Sequence, residues 1–179
     1  MKVKNLVMHF HLVNKHRFKV FKLCLKAGIP FRGLVHDLSK YSPSEFFESA
    51  KYYSGDKSPI TNCRKELGYS LAWLHHKGRN KHHYEYWFDY NAPVVTPIIP
   101  FKYVLEMICD SFAAGQTYQG KNWDKGYQLT YWNKVKDKAI MNQKIKDLLE
   151  RVYTEVSIQG LKPVLKKKYL KKLYDEYTK

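Results

Sequence analysis

Apolar residues at the start of the chain recur with the spacing of an α-helix. Leu6, Val7, Phe10, Val13, Phe18, Phe21 and Leu25 fall close to a 3.6-residue period over residues 4–27. Gly28 and Pro30 follow, placed where a helix stops. Nearly every later segment reads the same way. A short helix is predicted over Phe31–Lys40. Ser42-Pro43-Ser44-Glu45 has the form of a capping box, in which Glu45 reaches back to the cap amide and opens a helix to about Tyr53. Another helix is predicted from about Thr61 to His76. The run NAPVVTPIIP, residues 91–100, carries three prolines and reads as a loop or extended piece. Phe101–Tyr118 reads as a buried helix with Val104, Leu105, Ile108, Phe112 and Ala113 on one side. Two more follow, at about 127–157 with a break and at 161–178. Strand-like alternation is brief and no internal repeat is present, so the expected fold class is all-α.

At 179 residues the chain is expected to form one domain with a sizeable core. No apolar run approaches the roughly 18 residues that span a bilayer. The basic start MKVKNLVMHFHLVNKH is soon interrupted by polar residues, so no signal peptide is expected. Three widely spaced cysteines (Cys24, Cys63, Cys109) argue against a disulfide framework and a zinc ribbon, and favour a cytoplasmic location.

The formal net charge of +16 favours an anionic partner: a nucleotide, another phosphorylated molecule, nucleic acid or an anionic membrane. The last segment, LKPVLKKKYLKKLYDEYTK, keeps an apolar face and a lysine face. The lysines are a solvated surface or a contact to phosphate or lipid.

The chemistry-bearing residues are histidines and aspartates. Residues 75–87 read HHKGRNKHHYEYW and hold half of the eight histidines. Val35-His36-Asp37-Leu38-Ser39-Lys40 offers an imidazole and a carboxylate side by side, a pairing that suits Zn²⁺, Mn²⁺ or Fe. Lys40, four residues after His36, is placed to hold a phosphate. Asp110 stands in an otherwise apolar helix, where a buried carboxylate needs a partner. His16 lies within the first helix; His9 and His11 read as ordinary surface or core histidines.

In order, His16, His36-Asp37, His75/His76, His82/His83 and Asp110 resemble the pattern of the HD-domain superfamily of metal-dependent phosphohydrolases. HDLSK looks like its HD-x-G-K element with serine for glycine. CDSFAA is similar to its A-D-x-x-D-A element, with Ala113 in place of the second aspartate. The resemblance covers about residues 10–118, leaving about 123–179 as a C-terminal helical extension, and implies an HD-like helical bundle. HDLSK, SPSEF and HHKGRNKHHYEYW also resemble a narrower bacterial and phage family of unknown function. The Gly-Tyr-Pro sequence of cyclic dinucleotide phosphodiesterases is missing, which argues against that activity.

The resemblance implies that His16, His36, Asp37 and Asp110 bind one divalent transition metal (Mn, Fe, Zn, Co or Ni). His75, His76, His82 and His83 are candidates for a second ion. Asp37, Lys40, Arg79 and Glu85 are the expected catalytic residues, and Lys40, Lys77, Arg79 and Asn80 the expected phosphate contacts. The expected activity is hydrolysis of a nucleotide or related phosphoester by metal-activated water. The alternative is a non-catalytic basic helical module that binds nucleic acid or nucleotides.

Overall fold

The first helix, α1 (Val3–Lys26), buries His9, Val13, His16, Val20, Leu23 and Cys24. In this computed structural model, which describes residues 2–179, the buried stripe therefore differs from the apolar one. Val7, Phe10, Phe18 and Leu25 are exposed. Two histidines hold inward positions that apolar periodicity assigns to larger hydrophobic residues. The reason is tertiary: this face of α1 looks onto a polar cluster as well as onto the core.

Gly28 ends α1 as expected. At φ 73° it lets its N–H reach Leu25 O and lets Ile29 N–H reach Cys24 O, the paired bonds of a glycine-terminated helix. Pro30 then opens α2 (Pro30–Val35). This helix lies tightly against α1: a Cβ at Gly33 would stand 2.6 Å from Cys24 Cβ and 3.0 Å from Phe21 Cα.

The expected helix to Lys40 stops instead at Val35. His36 leaves helical geometry, and Asp37 adopts φ 54°, ψ 29°; it is the only non-glycine with positive φ among the described residues. Aspartate tolerates this left-handed conformation better than most residues. Arg17 of α1 holds the break, donating from Nε to His36 O (2.8 Å) and from Nη2 to Leu34 O (2.8 Å). It thereby satisfies carbonyls that the helix end leaves free. A 3₁₀ turn, Leu38–Tyr41, follows.

Helix α3 (Pro43–Lys51) begins at the predicted proline, but the capping box does not form. The Ser42 hydroxyl meets that of Ser44, and Glu45 is buried facing two histidines. The helix predicted over 61–76 is two helices, α4 (Pro59–Leu67) and α5 (Leu71–Arg79), separated at Gly68 with φ 81°. Ser70 caps α5 by accepting from Trp73 N–H (3.1 Å).

The proline-rich run has no regular structure. It is pinned by Asn142 Nδ2 donating to Thr96 O and Tyr174 Oη donating to Ile99 O. Helix α6 (Phe101–Gln119) is buried along much of its length. The predicted 127–157 segment breaks into α7 (Tyr127–Val135) and α8 (Gln143–Gln159). The last segment divides into a short α9 (Leu161–Val164) and α10 (Lys167–Thr178). Leu105, Ile108 and Phe112 of α6 share one core with Ile145, Leu149 and Val152 of α8 and Leu170 of α10. The fold is all-α: no strand occurs among the described residues, and no helix there is long and apolar enough to cross a membrane.

Candidate metal centre

Helix packing brings His16 of α1, the His36-Asp37 break, His76 of α5, the following His82 and His83, and Asp110 of α6 into one cluster. His16 Nε2 lies 3.0 Å from Asp110 Oδ1 and 3.9 Å from Asp37 Oδ2. His36 Nε2 lies 3.3 Å from Asp37 Oδ2 and 3.5 Å from Asp110 Oδ1. On the other side of the same carboxylate, His76 Nε2 and His82 Nε2 each lie 3.3 Å from Asp37 Oδ1. Asp110 Oδ2 is 3.8 Å from His82 Nε2, and His83 Nε2 is 2.9 Å from His76 Nε2. Bonds of ~2.0–2.1 Å put neighbouring donors about 3.3 Å apart in a tetrahedral zinc site, and these separations are of that size.

Three sets of potential donors each fit within 4.8 Å: Asp37, His76, His82 and His83; His16, His36 and Asp37; and His36, His82 and Asp110. Asp37 belongs to two of the sets, with Oδ2 toward His16 and His36 and Oδ1 toward His76 and His82. Each set could hold a metal ion. His36 Nε2, His82 Nε2 and Asp37 Oδ1 are buried without a hydrogen-bond partner, while Asp37 Oδ2 meets Lys40 Nζ at 2.7 Å and His16 Nε2 meets Asp110 Oδ1 at 3.0 Å. Polar atoms withdrawn from water are costly unless paired. A divalent cation would pair these nitrogen and oxygen atoms together, so the donor set fits such a metal.

An outer layer of carboxylates orients the imidazoles. Glu106, one turn before Asp110 on α6, receives a hydrogen bond from His36 Nδ1–H at 3.0 Å and lies 3.4 Å from His82 Nδ1. Its other oxygen accepts from Arg32 Nε at 2.6 Å. Glu45 Oε2 lies 2.7 Å from His76 Nδ1 and Oε1 lies 2.6 Å from His75 Nδ1. Holding Nδ1–H in this way turns the Nε2 lone pair toward the cluster.

Burial pushes the Glu106 carboxyl upward, but hydrogen bonds from His36 and His82 outweigh it and hold the pKa at about 2. Burial likewise opposes ionisation of Asp37, yet His36, Lys40 and His76 bring it well below the usual carboxylate range. His36 and His76 are raised against their burial, chiefly by Asp37. His83 is pushed well down by burial and by its neighbours His82 and His76.

The expected ligands are thus brought together, with one difference. His75 points to Glu45 from the outer side and belongs to none of the convergent donor sets. Lys40 faces the cluster, with Nζ 2.7 Å from Asp37 Oδ2. A cavity of about 460 Å³ opens beside it, lined by Lys40, His16, His76, His83 and Asp110 among others.

Lys77, Arg79, Asn80 and Glu85, expected to handle phosphate or protons, do not line that cavity. Arg79 is exposed, and Glu85 is partly buried with Oε2 unpartnered. Asn80 is committed internally: Nδ2 donates to His76 O at 2.8 Å and Ser39 Oγ at 2.9 Å. Glu45, Glu106 and Arg17 were not anticipated. For Glu106 a signal was present, since it lies four residues before Asp110 in the same apolar helix.

A family model described as "Family of unknown function (DUF5662)" matches residues 6–155. No curated protein and no solved structure matches the chain.

Proposed function

For a chain that belongs to the DUF5662 family of unknown function, we propose metal-dependent hydrolysis of a nucleotide or related phosphoester. The observation that carries this reading is the convergence of buried donor atoms on His16, His36, His82 and Asp37, of which His36 Nε2, His82 Nε2 and Asp37 Oδ1 have no hydrogen-bond partner. The sequential order of His16, His36-Asp37, His76/His82 and Asp110 supports an HD-type assignment.

His16, His36, Asp37 and Asp110 would hold one ion, and His76, His82 and His83 with Asp37 would hold a second where two bind. A divalent transition metal bound there would supply Lewis acidity toward water and a phosphoryl oxygen.

The chain's own residues do the rest. Lys40 lines the cavity and offsets the charge of a phosphoryl group through its ammonium hydrogens. Burial opposes that charge, but Asp37 and Asp110 raise the Lys40 pKa, so the ammonium persists at neutral pH. Glu106 and Glu45 fix the imidazole orientations.

The test is inorganic phosphate release from a panel of nucleotides and simple phosphoesters, with Mn²⁺, Co²⁺, Fe²⁺, Ni²⁺ or Zn²⁺ added and with chelator. Activity that needs metal and disappears in Lys40→Met supports the reading. No release from any ester with any of the metals overturns it.

A further inference from the structure

The cavity beside the cluster continues past the donors to α7. Asp110 and Gly115 both line it, and five residues of helix separate them by ~7.5 Å. At Gly115 the absence of a side chain admits the Tyr127 ring, which a Cβ would meet at 3.0 Å. Tyr127 Oη also accepts from Gln119 Nε2 at 3.2 Å, which fixes α7 at the end of α6 beyond Asp110. From α7, Tyr127, Gln128 and Tyr131 all face the cavity, at helical spacing i, i+1 and i+4.

Gln128 is the unusual member. It is 5% exposed, and its Oε1 is buried without a hydrogen-bond partner. A carboxamide carries an acceptor and two donors on one plane, and leaving its buried oxygen unpaired costs the desolvation of that atom with nothing in return. The Tyr127 and Tyr131 rings beside it are nearly parallel, at 15°. Trp73 adds a third aromatic surface to the same cavity. Such surfaces accept a flat heterocycle by stacking. A carboxamide pairs with an edge that places a donor next to an acceptor, as nucleobases do.

We infer that the cavity takes a nucleoside monophosphate, with its phosphate at the Asp110 and Lys40 end and its base against α7, where the Gln128 carboxamide reads the base edge. The pentose fills the stretch along α6 between the two ends. The cavity volume of about 460 Å³ lies within the range of ligand pockets, roughly 300–1,000 Å³. A pentose phosphate without a base would leave Gln128 unpaired. This inference rests on the phosphohydrolase reading above and deepens it.

The test uses the metal-loaded protein and non-hydrolysable methylenephosphonate analogues of the four common nucleoside monophosphates, in which CH2 replaces the bridging ester oxygen, with the base-free pentose methylenephosphonate as control. Affinities are measured calorimetrically for the unaltered chain, Gln128→Leu and Tyr131→Ala. At least one nucleoside analogue is expected to bind roughly tenfold tighter than the base-free ligand, the discrimination of one good bidentate pair. Gln128→Leu removes that difference and leaves metal content and base-free affinity unchanged. Tyr131→Ala, at a half-exposed position that tolerates truncation, reduces it. Equal affinity for base-free and base-bearing ligands in the unaltered chain overturns the inference and leaves the phosphohydrolase reading standing. No binding of any phosphonate overturns the inference too, and no phosphate release from any ester in the assay above overturns the phosphohydrolase reading with it.

Discussion

Lys40 Nζ lies 2.7 Å from Asp37 Oδ2, so one positive charge already sits at the edge of the donor cluster. A metal ion and this ammonium compete for the same carboxylate. Lys40→Met is therefore expected to bind a divalent metal several-fold more tightly, measured by competition with a chromogenic chelator. The same variant loses phosphoester hydrolysis, because the side chain that offsets phosphoryl charge is gone. Weaker metal binding in Lys40→Met would contradict this role.

The outer carboxylates make a second, separable prediction. Glu106→Gln removes the negative charge shared by His36, His82 and Arg32. Glu45→Gln removes the acceptor charge beside His75 and His76. Each is expected to weaken metal binding by roughly 10–100-fold, the usual effect of losing an orienting partner. Glu106→Gln should be the more damaging, since it disturbs two convergent imidazoles and frees Arg32. Metal titration followed by circular dichroism separates loss of affinity from loss of fold.

Gly33 sets how closely α2 approaches α1. Gly33→Ala places a Cβ 2.6 Å from Cys24 Cβ and 3.0 Å from the Phe21 main chain. The helices must part, which is expected to cost about 1–3 kcal/mol in urea unfolding, as overpacked cores do. Because α2 leads directly into His36 and Asp37, the same change should also weaken metal binding. Unchanged stability in Gly33→Ala would contradict the tight contact.

These residues also show what the sequence could and could not reveal. Helical periodicity identifies the fold class, and Gly28-Pro30 marks the end of α1 correctly because both signals are local. His16, His36, Asp37 and Asp110 were legible as a group only through the resemblance of their order to the HD-domain pattern; the structure brings their side chains close together. Glu45 was misread: its spacing from Ser42 fits a capping box, but partners 30 and 31 residues away take its carboxylate. The stop at Val35 was missed since the left-handed turn at Asp37 is held by Arg17, 19 residues before His36. Phe10, Phe18 and Leu25 keep the helical period yet lie exposed, because apolar periodicity does not show that His9 and His16 take inward positions on α1.

His9 makes stability depend on pH. Burial lowers its pKa to about 4, with Lys40 adding to the effect. An unfolded chain takes up a proton at this imidazole near pH 6.5, whereas the folded chain does not until about pH 4. The unfolded state binds more protons across that interval, so stability falls as pH drops through it. His9→Phe abolishes this contribution. It should reduce the loss of unfolding free energy between about pH 7 and pH 5 by on the order of 1–2 kcal/mol. Equal acid sensitivity in both proteins would contradict the assignment.

Asp37 is the residue on which the account depends, because both of its oxygens face imidazole nitrogens: Oδ1 is buried without a hydrogen-bond partner, and Oδ2 is met by the Lys40 ammonium. Asparagine keeps its shape and also tolerates the left-handed backbone. The direct measurement is metal content by inductively coupled plasma mass spectrometry, after equilibration with Mn, Fe, Co, Ni or Zn and gel filtration, for the unaltered chain and Asp37→Asn. The account predicts about one or two transition-metal ions per chain in the former and a large loss in the latter, with helicity preserved. Background metal in the unaltered chain, or the same content in both proteins, would contradict it.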